Sequence, residues 1–208
     1  MSGLKLFRYT AWAAVAALAV VSGVLVYQQT AGNKNSGALI EPLAAIGGPF
    51  ELVNGNGETV TDKTFAGKPT LIFFGFTFCP DVCPTTLSEL QGWMDVLGDD
   101  AGKLNYAFVS VDPERDTPDV MRDYVAAFDE RITPLTGSRE QVDAIIKAYR
   151  VYAKKVPLDD GDYTMDHSAA VYLMDADNKF VGTIAYAEEE ENALRKLRRL
   201  IDNAPASS

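Results

Sequence analysis

The stretch Thr70-Leu71-Ile72-Phe73-Phe74-Gly75-Phe76-Thr77-Phe78-Cys79-Pro80-Asp81-Val82-Cys83 decides the fold. Thr70 to Phe76 reads as an apolar strand, the pattern of a central strand covered on both faces. Cys79 and Cys83 follow it, and Leu87, Leu90, Trp93, Met94 and Leu97 then recur at helical spacing. The spacing predicts a helix over Thr85 to Leu97. Pro84 is acceptable in its first turn, where a missing N–H costs nothing. Residues i and i+4 share a helix face, so the two sulfurs can converge on one ion or bond to each other. The positive end of the helix and its free N–H groups favour thiolate, the form that binds metals and attacks disulfides.

Upstream, Phe50-Glu51-Leu52-Val53 and Glu58-Thr59-Val60-Thr61 flank Asn54-Gly55-Asn56-Gly57, a strong hairpin signal. Downstream, Leu104 to Val111 is the next buried strand. Thr117 is an N-cap with Pro118 at the first position of a helix carrying Val120, Met121, Tyr124 and Phe128. Arg131 to Leu135 is a short strand. Ser138 caps a further helix, with Gln141 placed for a capping box. Ala169 to Met174 and Phe180 to Ala185 are strands joined at Asp175-Ala176-Asp177-Asn178. The run Glu188 to Glu191 opens a last helix that contains Arg195, Lys196, Arg198 and Arg199, a charge order that complements the helix dipole. Helices alternating with buried strands imply an α/β protein with a mixed central sheet covered on both faces. A strand, a cysteine pair and a helix in that order are the signature of a thioredoxin-like fold, here with an N-terminal hairpin extension.

The chain has 208 residues, 47% of them hydrophobic, enough for one ordinary domain and a tail. No charged residue occurs from Tyr9 to Asn33, and Ala11 to Tyr27 is almost wholly apolar. That run approaches the roughly 20 residues that cross a bilayer. Lys5 and Arg8 precede it, so the N-terminus is expected in the cytoplasm and the remainder outside. A cleaved signal peptide competes with an uncleaved anchor, but Gln29 is a poor −3 residue for a cut after Ala31. The expected layout is a single transmembrane helix over residues 1–31, a flexible tether over 32–46, a domain over 47–203 and a disordered tail over 204–208. Two of the 19 basic residues and none of the 29 acidic ones precede Lys34, so the exported part carries a net charge of −12. Nucleic-acid binding is disfavoured, because phosphate contacts need a basic face.

Cys79 and Cys83 are the only cysteines and His167 the only histidine. Two thiolates and an imidazole make a soft donor set that suits copper or zinc. A single histidine excludes the three-His and two-His catalytic zinc sites. Asp166-His167-Ser168 lies just before a buried strand, in the loop where a thioredoxin-like fold presents a residue to its cysteines. Asp166 is placed to act as a carboxylate behind the imidazole. Met165 is a nearby soft donor, although methionine is usually a core filler.

Phe74 to Pro84 resembles the signature of the Sco/SenC family, the copper chaperones of cytochrome c oxidase assembly. So do Val109-Ser110-Val111-Asp112-Pro113-Glu114-Arg115-Asp116-Thr117, Tyr149-Arg150-Val151-Tyr152, and Asp166-His167-Ser168 ahead of a strand. The likeness runs in order from about Gly48 to Ile201. It implies that Cys79, Cys83 and His167 bind copper as Cu(I) and Cu(II), with Asp166 at the family's aspartate position. It also implies that the cargo is intended for the dinuclear copper site of oxidase subunit II. A further copper chaperone or a thioredoxin-like reductase would be a second partner. Phe78 stands where relatives can have Tyr or His. The absence of an Arg-rich presequence points to a bacterial inner membrane with the domain in the periplasm.

Other classes stay open. A periplasmic thiol–disulfide oxidoreductase would use the same Cys79 and Cys83, although dedicated ones resemble Cys-x-x-Cys with a facing cis-proline. A structural disulfide would close only a tiny loop and so remove little chain entropy. A thiol peroxidase lacks its Pro-x-x-x-Thr-x-x-Cys arrangement here. Asp112 to Thr117 serves either as structural punctuation or as a partner-docking loop.

Overall fold

The structure, a computed structural model, describes residues 46–159 and 161–205, together with Val20 and Ser22. Apart from Val20 and Ser22 of the expected anchor and Ile46 of the expected tether, both segments lie outside the described residues, as do residues 206–208 of the expected tail. Among the described residues no helix is long and apolar enough to cross a membrane.

The decisive stretch forms β3 (Thr70–Gly75) and α1 (Val82–Leu97). All six residues of β3 are buried. Side chains alternate across a strand, so both faces of the sheet are covered at this point. Parallel to β3 runs β4 (Asn105–Ser110), with Phe73 opposite Phe108 and Gly75 opposite Ser110. β5 (Ile132–Thr136) is parallel to β4. On the other side of β3, β8 (Val171–Met174) and β9 (Phe180–Ile184) add antiparallel strands. The expected hairpin is β1 (Glu51–Asn54) and β2 (Thr59–Thr61), and β1 pairs antiparallel with β5. The result is one mixed seven-stranded sheet of order β2-β1-β5-β4-β3-β8-β9.

Helix starts follow local chemistry. In α2 (Pro118–Ala126) the Thr117 hydroxyl accepts from the Val120 N–H, with Pro118 in the first turn. Before α3 (Arg139–Ala148), Ser138 and Gln141 form the reciprocal capping box. α4 (Glu190–Asp202) buries Ala193, Leu194, Leu197 and Leu200 and packs against α1.

Two local expectations differ from the structure. α1 begins at Val82, three residues before the expected start, so Cys83 is inside its first turn and Cys79 precedes the helix. Pro84 does not delay the start, because first-turn N–H groups have no intrahelical acceptor. Residues 153–157 and 163–167 are also more regular than the sequence suggested. They form a separate hairpin of β6 (Ala153–Pro157) and β7 (Tyr163–His167). His167 is therefore the last residue of a strand, paired with Ala153, and not a loop residue.

Candidate metal centre

Three segments meet at the C-terminal end of β3. After Gly75 the chain turns, with the Cys79 N–H donating to the Phe76 carbonyl at 3.3 Å. Cys79 is half-buried and Cys83 fully buried, and neither sulfur is in a disulfide. The Cys83 backbone N–H, in the first turn of α1, donates to the Cys79 sulfur at 3.3 Å. A helix N-terminus thus serves the sulfur of a residue outside the helix. Gly75 makes this approach possible: a β-carbon there would lie 2.6 Å from the Cys83 sulfur.

The third segment is β7. Nε2 of His167 lies 3.5 Å from the Cys83 sulfur, and Nδ1 lies 2.9 Å from the Ser168 carbonyl oxygen. A carbonyl only accepts, so a proton on Nδ1 satisfies it and leaves the Nε2 lone pair facing the sulfurs. The rings of Phe73 and Phe76 hold the imidazole edge-on, at 6.2 and 5.7 Å between centroids. One ligand atom from each of Cys79, Cys83 and His167 lies within 4.8 Å of the others. The site opens into a cleft of about 190 Å³ lined by Phe76, Pro80, Val82 and Met165, among others.

Charge is divided unequally between the sulfurs. A hydrogen bond from the Cys83 thiol is the largest influence on Cys79 and pulls its pKa down to about 3. Burial opposes this, while two backbone N–H groups assist. Cys83 moves up, because it donates that bond, is buried and faces the Cys79 charge. The metal-free pair is a half-exposed thiolate beside a buried thiol.

Of the other residues singled out from sequence, Met165 belongs to the buried core. Asp166 is exposed and, by strand alternation, faces away from Met165 and His167, yet it still stands at the rim of the same cleft. The acceptor behind the imidazole is the Ser168 carbonyl. Phe78 is exposed beside Cys79. Sequence reasoning missed Gly75 and Tyr163. The glycine inside an otherwise bulky apolar strand was the available sign, since such a residue often marks close approach of another group. Asp-Asp-Gly-Asp between Val156 and Tyr163 was the missed turn signal.

A mixed sheet whose central strand runs into a cysteine pair and a helix, with a histidine brought across from a hairpin, defines a thioredoxin-like protein with a soft-metal centre. The family model described as SCO1/SenC matches residues 40–202. The chain belongs to the SCO1/SenC family. It is 34% identical over 213 residues to protein SCO2, mitochondrial, of Saccharomyces cerevisiae, covering 95% of this chain and 69% of that protein. It is 44% identical over 154 residues to protein SCO1 homolog 1, mitochondrial, of Arabidopsis thaliana, covering 72% of this chain but only 46% of that one. The chain thus spans less than two thirds of the length of some curated relatives. Among solved structures, Bradyrhizobium japonicum ScoI with copper bound superposes with a TM-score of 0.70 at 53% identity, covering 75% of this chain and 99% of that one.

Proposed function

We propose that this protein is a membrane-tethered copper carrier that uses Cys79, Cys83 and His167 as ligands and serves the dinuclear copper site of cytochrome c oxidase subunit II. The observation that carries the reading is the convergence of two sulfurs and one imidazole nitrogen within 4.8 Å. The set contains no carboxylate, and two or three soft ligands satisfy Cu(I). The anionic Cys79 sulfur stands at the open edge of the site, where an incoming thiolate can displace it first. Cys83, which is fully buried, would let go later. Ligand exchange of this kind delivers copper without ever releasing it to water.

The uncharged run from Tyr9 to Asn33 supports an anchor over residues 1–31 and a tether over 32–46, with the domain from residue 47 onward in a bacterial periplasm. Similarity to a bacterial ScoI solved with copper bound supports the cargo. Anaerobic Cu(I) titration of the full chain in detergent tests the reading. Cys79→Ser, Cys83→Ser and His167→Ala should each sharply weaken binding. Stoichiometric copper retained by the Cys79→Ser/Cys83→Ser variant would overturn it.

One observation favours a second reading, a thiol–disulfide reductase acting on the acceptor's cysteines. A thiolate at Cys79 with a thiol at Cys83 is the arrangement of an attacking and a resolving sulfur. His167→Ala separates the two readings: it would leave disulfide reduction largely intact and damage copper binding.

A further inference from the structure

The turn Asp112-Pro113-Glu114-Arg115-Asp116-Thr117, between β4 and α2, carries two buried carboxylates that face different segments. Asp116 is fully buried. It accepts from the Thr77 N–H at 3.3 Å, from the Thr77 hydroxyl at 2.6 Å and from the Ser110 hydroxyl at 2.6 Å. Thr77 is two residues before Cys79. Asp112 accepts from Arg115 Nε at 2.6 Å and from the Tyr163 hydroxyl at 2.9 Å. Arg115 Nη1 in turn donates to the Tyr163 carbonyl at 3.0 Å. Tyr163 opens β7, the strand that ends at His167.

The Arg115 guanidinium also joins the two sides directly. Its Cζ lies 3.7 Å from the ring centre of Tyr163 and 4.6 Å from that of Phe78, the residue before Cys79. A single cation therefore bridges the cysteine loop and the histidine strand. The bridge matters because β6 and β7 form a two-stranded sheet of their own and are not laddered to the seven-stranded sheet. Their placement depends on side-chain contacts. The Lys155–Glu114 pair, at 2.7 Å, is too exposed to contribute much. Arg115 and Asp112 are mostly buried, and their pairing is charge-assisted on both sides.

We propose that Arg115, held by Asp112, is a positioning residue that sets the distance between His167 and the cysteine pair by clamping Tyr163 against Phe78. The copper arm of this inference rests on the ligand set proposed above; the metal-free arm does not. Removing Arg115 alone leaves a buried Asp112 charge unpaired and risks unfolding. The test variants are therefore Asp112→Asn/Arg115→Met, which removes both charges together, and Arg115→Lys, which keeps the charge but loses the planar fork. The full chain in detergent is followed by amide hydrogen exchange without metal, by Cu(I) competition against a chromophoric chelator, and by Cu(II)–thiolate absorption.

Expected in the double variant is exchange faster by at least about tenfold over residues 153–168, with β3 and β4 unchanged. Cu(I) affinity should drop about 10- to 100-fold, as for outer partners of metal ligands. The Cu(II) spectrum should move toward that of His167→Ala, with Arg115→Lys intermediate. Unchanged exchange in the hairpin would overturn the proposal. So would acceleration spread evenly over β3 and β4, which marks a general structural role. A wild-type chain that takes up no copper would end the copper reading, and the metal-free exchange would still decide whether Arg115 positions the hairpin.

Discussion

Gly75 and Cys83 are in contact across the end of the central strand: a β-carbon at position 75 would lie 2.6 Å from the Cys83 sulfur and 2.8 Å from Cε2 of Phe108. Both neighbours are fully buried, and the thiol is fixed to the first turn of α1. Neither can retreat without moving packed backbone. The hydrogen atom at Gly75 is what lets α1 seat its sulfur against the sheet.

Gly75→Ala should therefore lose about 1–3 kcal/mol of stability, the usual cost of overpacking a filled core. The displaced sulfur should also weaken copper binding beyond that of a control such as Gly92→Ala, where an added β-carbon meets nothing. Urea unfolding and Cu(I) competition check this. Equal effects at the two glycines would refute it.

The unequal sulfurs predict an alkylation pattern. With its pKa near 3, Cys79 in the metal-free protein should react with iodoacetamide at a rate almost independent of pH from about 4 to 8. Cys83, buried and held as the thiol, should stay unmodified. In Cys83→Ala the Cys79 thiolate loses its principal donor, and its titration should move up toward the ordinary value of about 8.5. The lowered native pKa also stabilises the fold above the unfolded value, a contribution lost as pH falls toward 3. Mass spectrometry of timed alkylation reads the rates, and a wild-type midpoint at or above neutrality contradicts the assignment.

Asp116 titrates in the opposite sense. Burial raises its carboxyl above the ordinary range, with the Thr77 and Ser110 bonds pulling the other way. The native state therefore holds the proton more tightly than the unfolded chain. Its contribution to stability is complete below about pH 3.9 and declines as pH rises through the raised native value. The stability of wild type relative to Asp116→Asn should fall from about pH 4 upward. Paired urea titrations across that range measure the slope, and a slope of the other sign excludes this account.

Ser138→Ala should cost about 1 kcal/mol, because the Gln141 N–H loses its acceptor and the capping box opens. Ser138→Asp should restore most of it, since an aspartate can also cap a helix and its charge suits the dipole. Thermal unfolding of the two variants decides; an aspartate variant no better than alanine removes the cap from the stability argument.

The features readable from sequence were local ones. Leu71 to Gly75 carries no polar side chain, and burial on both faces needs nothing more specific. Thr117 before Pro118, and Ser138 three residues before Gln141, declare helix starts because a cap is a contact between neighbours in the chain. The Cys79–Cys83 spacing declared a two-sulfur centre, and the single histidine named its only possible imidazole. What tertiary structure alone decided is which distant atoms meet. His167 reaches Cys83 across 84 positions, on a hairpin whose strands carry exposed lysines and little apolar alternation. Gly75 mattered only once α1 was laid against it, and Arg115 only once Tyr163 and Phe78 stood on either side of its guanidinium. Periodicity and capping are written within a few residues. Contacts between segments arise from the order of strands in the sheet, which no short stretch of sequence contains.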